Sequence, residues 1–418
     1  MIKIIEFRDR EKIEKIKERP LANIDKVEEK VKEVIKEVKN KGDKALLFYS
    51  EKFDNVRLEN LEVTKKDIEE AYKKTGKKTI KSLKRAKGII EDYCKKQLPK
   101  EWSCEIRKGI KIGQIIRPLD KVGCYVPCGN YPLPSTVLMT VIPAKIAGVN
   151  EIILCTPPKK NNEAIIAAAD ICGVDKIFKV GGSQAIAAMA YGTKTIPKVN
   201  KIVGPGNIYV TAAKKLVYGD TGIDFIAGPS EIIIFSEKGN EKFIAADMLA
   251  QAEHDKMASA IFVTTNKELA EKVKKEIEKQ IEYLLTKDIA KESIKNNSAI
   301  IITKDIDEAF GFINELAPEH LEIMDDKELL KKVRNAGAVF LGSYSVEAAG
   351  DYAVGNHVLP TMGFAKVRAG LSVLDFIKMP TVQELSKEGL NEIKDIVINL
   401  AETEGLEAHK KSVEARLR

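Results

Sequence analysis

Residues Phe225 to Asp255 read FIAGPSEIIIFSEKGNEKFIAADMLAQAEHD, and the order within them is turn, strand, turn, helix. Gly228-Pro229-Ser230 turns the chain, and Ile232-Ile233-Ile234-Phe235 follows as a short β-branched run suited to a strand buried on both faces. Lys238-Gly239-Asn240 turns it again, and a helix is expected from about Glu241, with Phe243, Ile244, Met248 and Leu249 as its apolar side. On that helix Asp247, Gln251 and His254 fall at i, i+4 and i+7, so three side chains able to hold a metal share one stripe. A solvated polar face would explain the stripe equally well.

The same grammar repeats on both sides. Upstream, strands are predicted at 122–127, 151–155, 176–180 and 201–204, alternating with helices over 135–147, 164–172, 184–191 and 207–218. Gly148-Val149-Asn150-Glu151-Ile152-Ile153 recurs as Gly173-Val174-Asp175-Lys176-Ile177-Phe178, each copy ending a helix at Gly and entering an apolar strand. That is the punctuation of a parallel, doubly wound sheet. Downstream, strands at 232–235, 260–263, 299–302 and 338–341 alternate with helices over 243–254, 267–284 and 306–316. Two α/β domains in succession form the expected core. Residues 1–100 read mainly as helices, and alternation over 105–119 predicts a hairpin. Thr381-Val382-Gln383-Glu384 matches a capping box that would open a helical tail. The last helix, 406–417, is too short and polar to stand alone, so a second subunit is its expected host.

Composition narrows the function. The chain has 418 residues and a net charge of +7, with lysine and glutamate intermixed. The basic run Lys73–Lys87 lacks interleaved aromatic residues, so a solvated helix face is the better reading and nucleic acid is not an expected partner. No run approaches the roughly 18 apolar residues of a membrane span. The start, MIKIIEFRDREK, is charged throughout, so no secretory signal is expected there. The six cysteines form no CxxC pair, which suits reduced thiols in the cytoplasm. Four histidines, His254, His320, His357 and His409, each stand beside carboxylates or amides. Imidazole with carboxylate suits zinc binding and general-base chemistry alike. No G-x-G-x-x-G is present, but turns at Cys128-Gly129-Asn130, Gly181-Gly182-Ser183-Gln184 and Gly204-Pro205-Gly206-Asn207 would leave backbone N–H groups free for a pyrophosphate. Plain tight turns fit these as well.

Several stretches together give the chain a family resemblance: GCYVPCGNYPLPSTVLM, VGGSQAIAAMAYGT, VGPGNIYV, AGPSEIIIF, LAQAEH, LAPEHLEI, GDYAVGNHVLPT and AETEGLEAHKKSVEAR. In these it resembles the histidinol dehydrogenases from about Ile24 to Leu417. The resemblance implies two incomplete Rossmann-like, doubly wound domains, with small N- and C-terminal helical segments used in an intertwined homodimer. It implies an N-terminal segment 1–22 and a discontinuous α/β domain of 23–115 plus 233–372 carrying the zinc-site helix. Residues 116–232 would be an inserted NAD-binding domain, and 373–418 a dimerisation tail. Its zinc pattern falls on Gln251, His254 and Asp351 of one subunit and His409 of the other. Substrate contacts would come from Ser230, Gln251, His254, His320, Asp351, Glu404 and His409, and NAD contacts from Tyr125, Gln184 and Asn207. The reaction implied is oxidation of L-histidinol through an aldehyde to L-histidine, with His320 as base and Glu319 activating water. A zinc hydrolase using Glu319, and an NAD-linked dehydrogenase of another amino alcohol, are the competing readings.

Overall fold

The computed structural model describes residues 1–18, 24–128, 131–159, 161–226 and 228–417. Among the described residues two parallel sheets form the body. The first runs, edge to edge, Lys176–Phe178, Glu151–Cys155, Lys121–Tyr125, Lys201–Val203 and Gly222–Ile223. The second runs Lys3–Glu6, Ala299–Ile302, Ser259–Thr264, Glu231–Phe235, His320–Ile323 and Ala338–Leu341. Counted in chain order from Lys121 and from Glu231, both follow the order 3-2-1-4-5, and the second gains Lys3–Glu6 at its edge. The repeated Gly-Val phrase does what its sequence predicts. The amides of Gly148 and Gly173 bond back to Ala144 and Lys145, and to Ala169 and Asp170, closing two helices just before two strands.

Helices Pro134–Ala147 and Glu163–Cys172 cover one face of the first sheet, and Gly182–Tyr191 and Ile208–Val217 the other. The predicted helical region is present over Asp25–Lys41, Asp43–Asp54, Lys65–Thr75 and Lys77–Gln97, but its placement differs from the expectation. Val31, Val34, Val38 and Leu46 pack with Ile153, Phe178 and Ile186, while Leu83, Ile90 and Cys94 pack with Val122, Leu138 and Ile165. These helices therefore cover the first sheet, not the second. An amphipathic stripe says that a helix needs an apolar surface, and two sheets of like composition both offer one. Strand Lys3–Glu6, pairing with Ala299–Ile302, was hidden because four residues carry too little periodicity.

Three further differences concern ends. The helix expected to carry His254 spans Glu241–Ala252, so His254 sits in the turn beyond it. Thr381–Leu385 is a strand, not a helix start, and pairs antiparallel with Ile110–Gln114 of the predicted hairpin. Its T-V-Q-E spelling fits a capping box, but the open hairpin edge supplies backbone partners that a helix start lacks. The tail helix begins instead after Ser386, whose hydroxyl accepts the Gly389 amide at 3.2 Å. No helix of the described residues is long and apolar enough to cross a membrane.

The two sheets meet through residues 356–376. Asn356 donates to the Met139 carbonyl at 2.7 Å, and Val358, Leu371, Val373 and Phe376 are buried with the first sheet's helices.

Candidate active site at the amino edge of the second sheet

Strands Glu231–Phe235 and His320–Ile323 begin side by side, with Ile232 opposite His320. The Glu231 amide donates to Glu319 Oε2 at 2.9 Å, and the Glu319 amide donates to Glu231 Oε1 at 3.2 Å. This reciprocal pair fixes the pocket's floor. His320 Nδ1 lies 3.3 Å from the Glu231 carbonyl, 3.5 Å from Glu347 Oε1 and 3.7 Å from Glu319 Oε2. The carbonyl can only accept, so the imidazole hydrogen belongs on Nδ1 and the lone pair on Nε2. Nε2 faces Asp351 Oδ1 at 3.8 Å. Burial pulls the His320 pKa down to about 4, so the ring is neutral at physiological pH.

Asp351 joins both histidines, its Oδ2 lying 3.8 Å from His254 Nε2. His254 is the exposed member, with 46% of its side chain accessible, and forms the pocket's mouth. Gln251 is fully buried. Its amide suits both neighbours when its nitrogen faces Glu347 Oε1 at 2.7 Å and its oxygen faces the Glu231 amide at 3.2 Å. The Ser230 hydroxyl bonds to Glu319. His357 donates from Nδ1 to the Asp351 carbonyl at 2.8 Å, which leaves Nε2 to accept from Thr136 at 3.1 Å. That residue ties the pocket to the first sheet.

The pocket is densely acidic. Glu231, Asp247, Glu319, Glu322, Glu347 and Asp351 are all buried. Among the described residues, the basic side chains found within 4 Å of Glu319, Glu347 and Asp351 are the rings of His254 and His320. Burial, then the Asp351 charge, pushes Glu319 and Glu347 well above the usual carboxyl range. One layer deeper, the Glu347 amide donates to Glu322 Oε1 at 2.8 Å, and burial raises Glu322 and Asp247 together. Glu322 Oε2 has no donor facing it, and the neighbouring Asp247 charge adds to burial in raising the Glu322 pKa. A buried acidic pocket without lysine or arginine is built for a cation.

His254, Glu347 and Asp351 offer ligand atoms that all lie within 4.8 Å of one another. Two atoms bound tetrahedrally to one zinc at about 2.0–2.2 Å lie about 3.3–3.6 Å apart, close to the His254–Asp351 spacing. Imidazole, carboxylate and amide oxygen together are a fitting donor set for Zn²⁺. Glu347 was missed in the sequence, although it stands four residues before Asp351 on the same helical face. Glu231 and Glu322 were also missed. A charge at the head of EIIIF and another breaking HLEI were their only signals.

Of the remaining predicted residues, Tyr125, Gln184 and Asn207 gather at the carboxyl edge of the first sheet. The Tyr125 hydroxyl accepts the Gly182 amide at 3.0 Å. Gln184 is buried one turn into the helix starting there, and its Oε1 has no partner, an orphan acceptor suited to a ligand hydroxyl. Asn207 caps helix Ile208–Val217, accepting from Tyr209 and Val210 at 3.1 and 3.2 Å. The Cys128 turn is described only in part, since Gly129 and Asn130 lie outside the described residues. Glu404 and His409 are not brought to the pocket in this chain. Both are exposed on the tail, whose helices Lys387–Thr403 and Glu407–Leu417 pack on each other.

Comparisons with known proteins agree on one family. Residues 17–417 match the family described as "Histidinol dehydrogenase". The histidinol dehydrogenase of Methanothermobacter thermautotrophicus is 48% identical over 425 residues, covering 100% of both chains. That of Clostridium acetobutylicum is 52% identical over 395 residues, covering 93% of this chain and 92% of its own. The solved histidinol dehydrogenase from Elizabethkingia anophelis superposes with a TM-score of 0.96 at 37% identity, covering 100% of this chain and 98% of that one.

Proposed function

The chain belongs to the histidinol dehydrogenase family, an oxidoreductase family of histidine biosynthesis, and on that premise we propose that it oxidises L-histidinol through L-histidinal to L-histidine with zinc and NAD⁺. The observation carrying this reading is His320: Nδ1 anchored, ring neutral, and the Nε2 lone pair directed at the cleft beside Asp351 and His254. Both oxidations require a proton to leave oxygen, and Nε2 is the acceptor for it. The aldehyde must be hydrated before its own oxidation, and Glu319, held by the Glu231 amide beside His320, is assigned to that water.

Gln251, His254 and Asp351 would hold the zinc, with Glu347 braced against Gln251. Zinc, when bound, would supply the positive charge that anchors the substrate's imidazole and amine. NAD⁺ would accept the hydride, and the crevice of Tyr125, Gln184 and Asn207 is assigned to it. That crevice opens at the carboxyl ends of a sheet ordered 3-2-1-4-5, between its Lys121–Tyr125 and Lys201–Val203 strands, where the order reverses and where such sheets bind nucleotides. Residues 116–232 are accordingly proposed as the NAD-binding unit.

A homodimer completes the site in this reading. Glu404 and His409 would enter the partner's pocket, and the tail's exposed Ile396, Leu400 and Leu406, with Val382 and Leu385, supply an apolar face for assembly. The unpaired thiols suit a cytoplasmic setting. One assay tests the whole: NADH formed per histidinol, with and without a chelator. About two per substrate, lost on chelation, supports the four-electron, zinc-dependent reading. One per substrate, or indifference to chelation, overturns it.

A further inference from the structure

Among the described residues, the most deeply buried lysine–carboxylate pair lies outside the catalytic pocket. Lys214 and Asp224 are 2% and 5% exposed and contact each other directly. Their other bonds converge on one residue. Lys214 Nζ donates to the Gly204 carbonyl at 3.0 Å, and Asp224 Oδ2 accepts the Gly204 amide at 2.7 Å. Both backbone polar groups of a single glycine are thus gripped by the pair. Gly204 has φ +120°, and a Cβ there would overlap the Tyr125 carbonyl oxygen, so only glycine lets the turn press onto that strand end. Lys214 also lies seven residues beyond Asn207, on the helix Asn207 caps.

We propose that Lys214 and Asp224 are positioning residues for the dinucleotide, setting the Gly204–Asn207 turn against Tyr125. This rests on the NAD⁺ reading above. A buried pair gives little net stability over well-packed apolar residues, so its particular contribution is position. The brace extends outward. Asp224 Oδ1 accepts the Phe225 amide at 2.7 Å, and the Phe225 ring lies 4.8 Å from the Arg368 guanidinium. Arg368 donates to the Asp224 carbonyl and pairs with Asp375 at 3.0 Å, which also holds Lys201 at 2.9 Å. The turn is thereby fastened to the segment that carries His357.

Lys214→Met alone would strand a buried carboxylate, so the decisive variant is Lys214→Met/Asp224→Asn. The asparagine oxygen can still accept the Gly204 amide, no charge is left unpaired, and the Gly204 carbonyl loses its donor. NAD⁺ affinity by calorimetry, KM and kcat, histidinol affinity and the thermal midpoint are measured on the full zinc-loaded protein. Losing a charged hydrogen bond that places the turn should weaken NAD⁺ affinity and raise its KM about tenfold or more. Turnover at saturating NAD⁺ should fall by less than about threefold, with histidinol affinity held. Wild-type NAD⁺ affinity in the folded double variant overturns the proposal, as does a parallel loss of NAD⁺ and histidinol affinity. If wild-type protein itself fails to bind NAD⁺, the cofactor reading falls instead.

Discussion

His320→Asn is the substitution that bears hardest on the chemistry. The asparagine amide can keep a donor near Nδ1, directed at the Glu231 carbonyl, while the Nε2 lone pair facing Asp351 disappears. The floor bonds between Glu231 and Glu319 use backbone amides and glutamate oxygens, so they remain. The stability loss is then confined mainly to the ring's packing near Phe340, 6.0 Å away, or about 1 kcal/mol. The kinetic loss is larger. Removing a general base costs about 10²- to 10⁴-fold, equivalent to about 3–5 kcal/mol of barrier. Because His320 would serve both oxidations, turnover from histidinol and from supplied histidinal should fall together. Glu319→Gln provides the contrast, since glutamine can still accept the Glu231 amide but cannot take a proton from water. It should slow the aldehyde step far more than the alcohol step. Rates within about tenfold of wild type for His320→Asn would refute the base assignment. Equal slowing of both steps by Glu319→Gln would leave Glu319 as a group that merely orients His320.

Other consequences can be checked separately. His254→Ala or Asp351→Ala should lose most bound zinc, measured by plasma emission, while NAD⁺ titrations stay near wild type; full zinc occupancy in both removes the proposed centre. Inactive His409→Ala and His254→Ala homodimers, refolded together, should recover up to roughly a quarter of full activity, because about half the dimers are mixed and each has one intact site of two. No recovery from folded mixed dimers means that the tail serves its own subunit. Glu322 has its pKa raised by burial and by Asp247, so the folded state holds a proton that the unfolded state releases. Its stabilising contribution is present in acid and is lost as pH rises above the ordinary carboxyl value, by at most about 1.4 kcal/mol per pH unit. In metal-free protein, Glu322→Gln should flatten the fall of the thermal midpoint between neutral and alkaline pH; an unchanged slope refutes the retained proton.

The division between what could be read from the sequence and what could not follows the range of each interaction. Gly148 and Gly173 announce their strands because the bonds that close the preceding helices reach only three or four residues back. His254 and His320 stand out as two of only four histidines in a chain dominated by lysine and glutamate, whereas Asp351 is named only through the family resemblance. Glu231, Glu322 and Glu347 do not stand out, because in such a chain one more glutamate carries no signal until folding buries it. The strand at 381–385 failed for a related reason. Its spelling satisfies a local rule, and only the distant hairpin edge decides against it. Which sheet the helices of 25–97 would cover was equally non-local.

The acidic pocket poses one question of stability that the fold itself answers. Like charges buried together should force strands and helix apart. Here three of the buried carboxyls are tied to backbone amides at element starts: Glu319 to the amide of Glu231, Glu231 to that of Glu319, and Glu322 to that of Glu347. Those amides stand at the amino ends of two strands and a short helix, where regular structure leaves donors unpaired. Each glutamate therefore removes a backbone penalty, and Glu319 does so while lying 3.7 Å from His320. Burial, then the Asp351 charge, raises the pKa values of Glu319 and Glu347, so each readily takes up a proton as counter-charge. A cation held by His254 and Asp351 would displace that need without moving the backbone. The pocket is thus preorganised by hydrogen bonds to backbone amides, with Asp351 as the carboxyl group that faces both histidines.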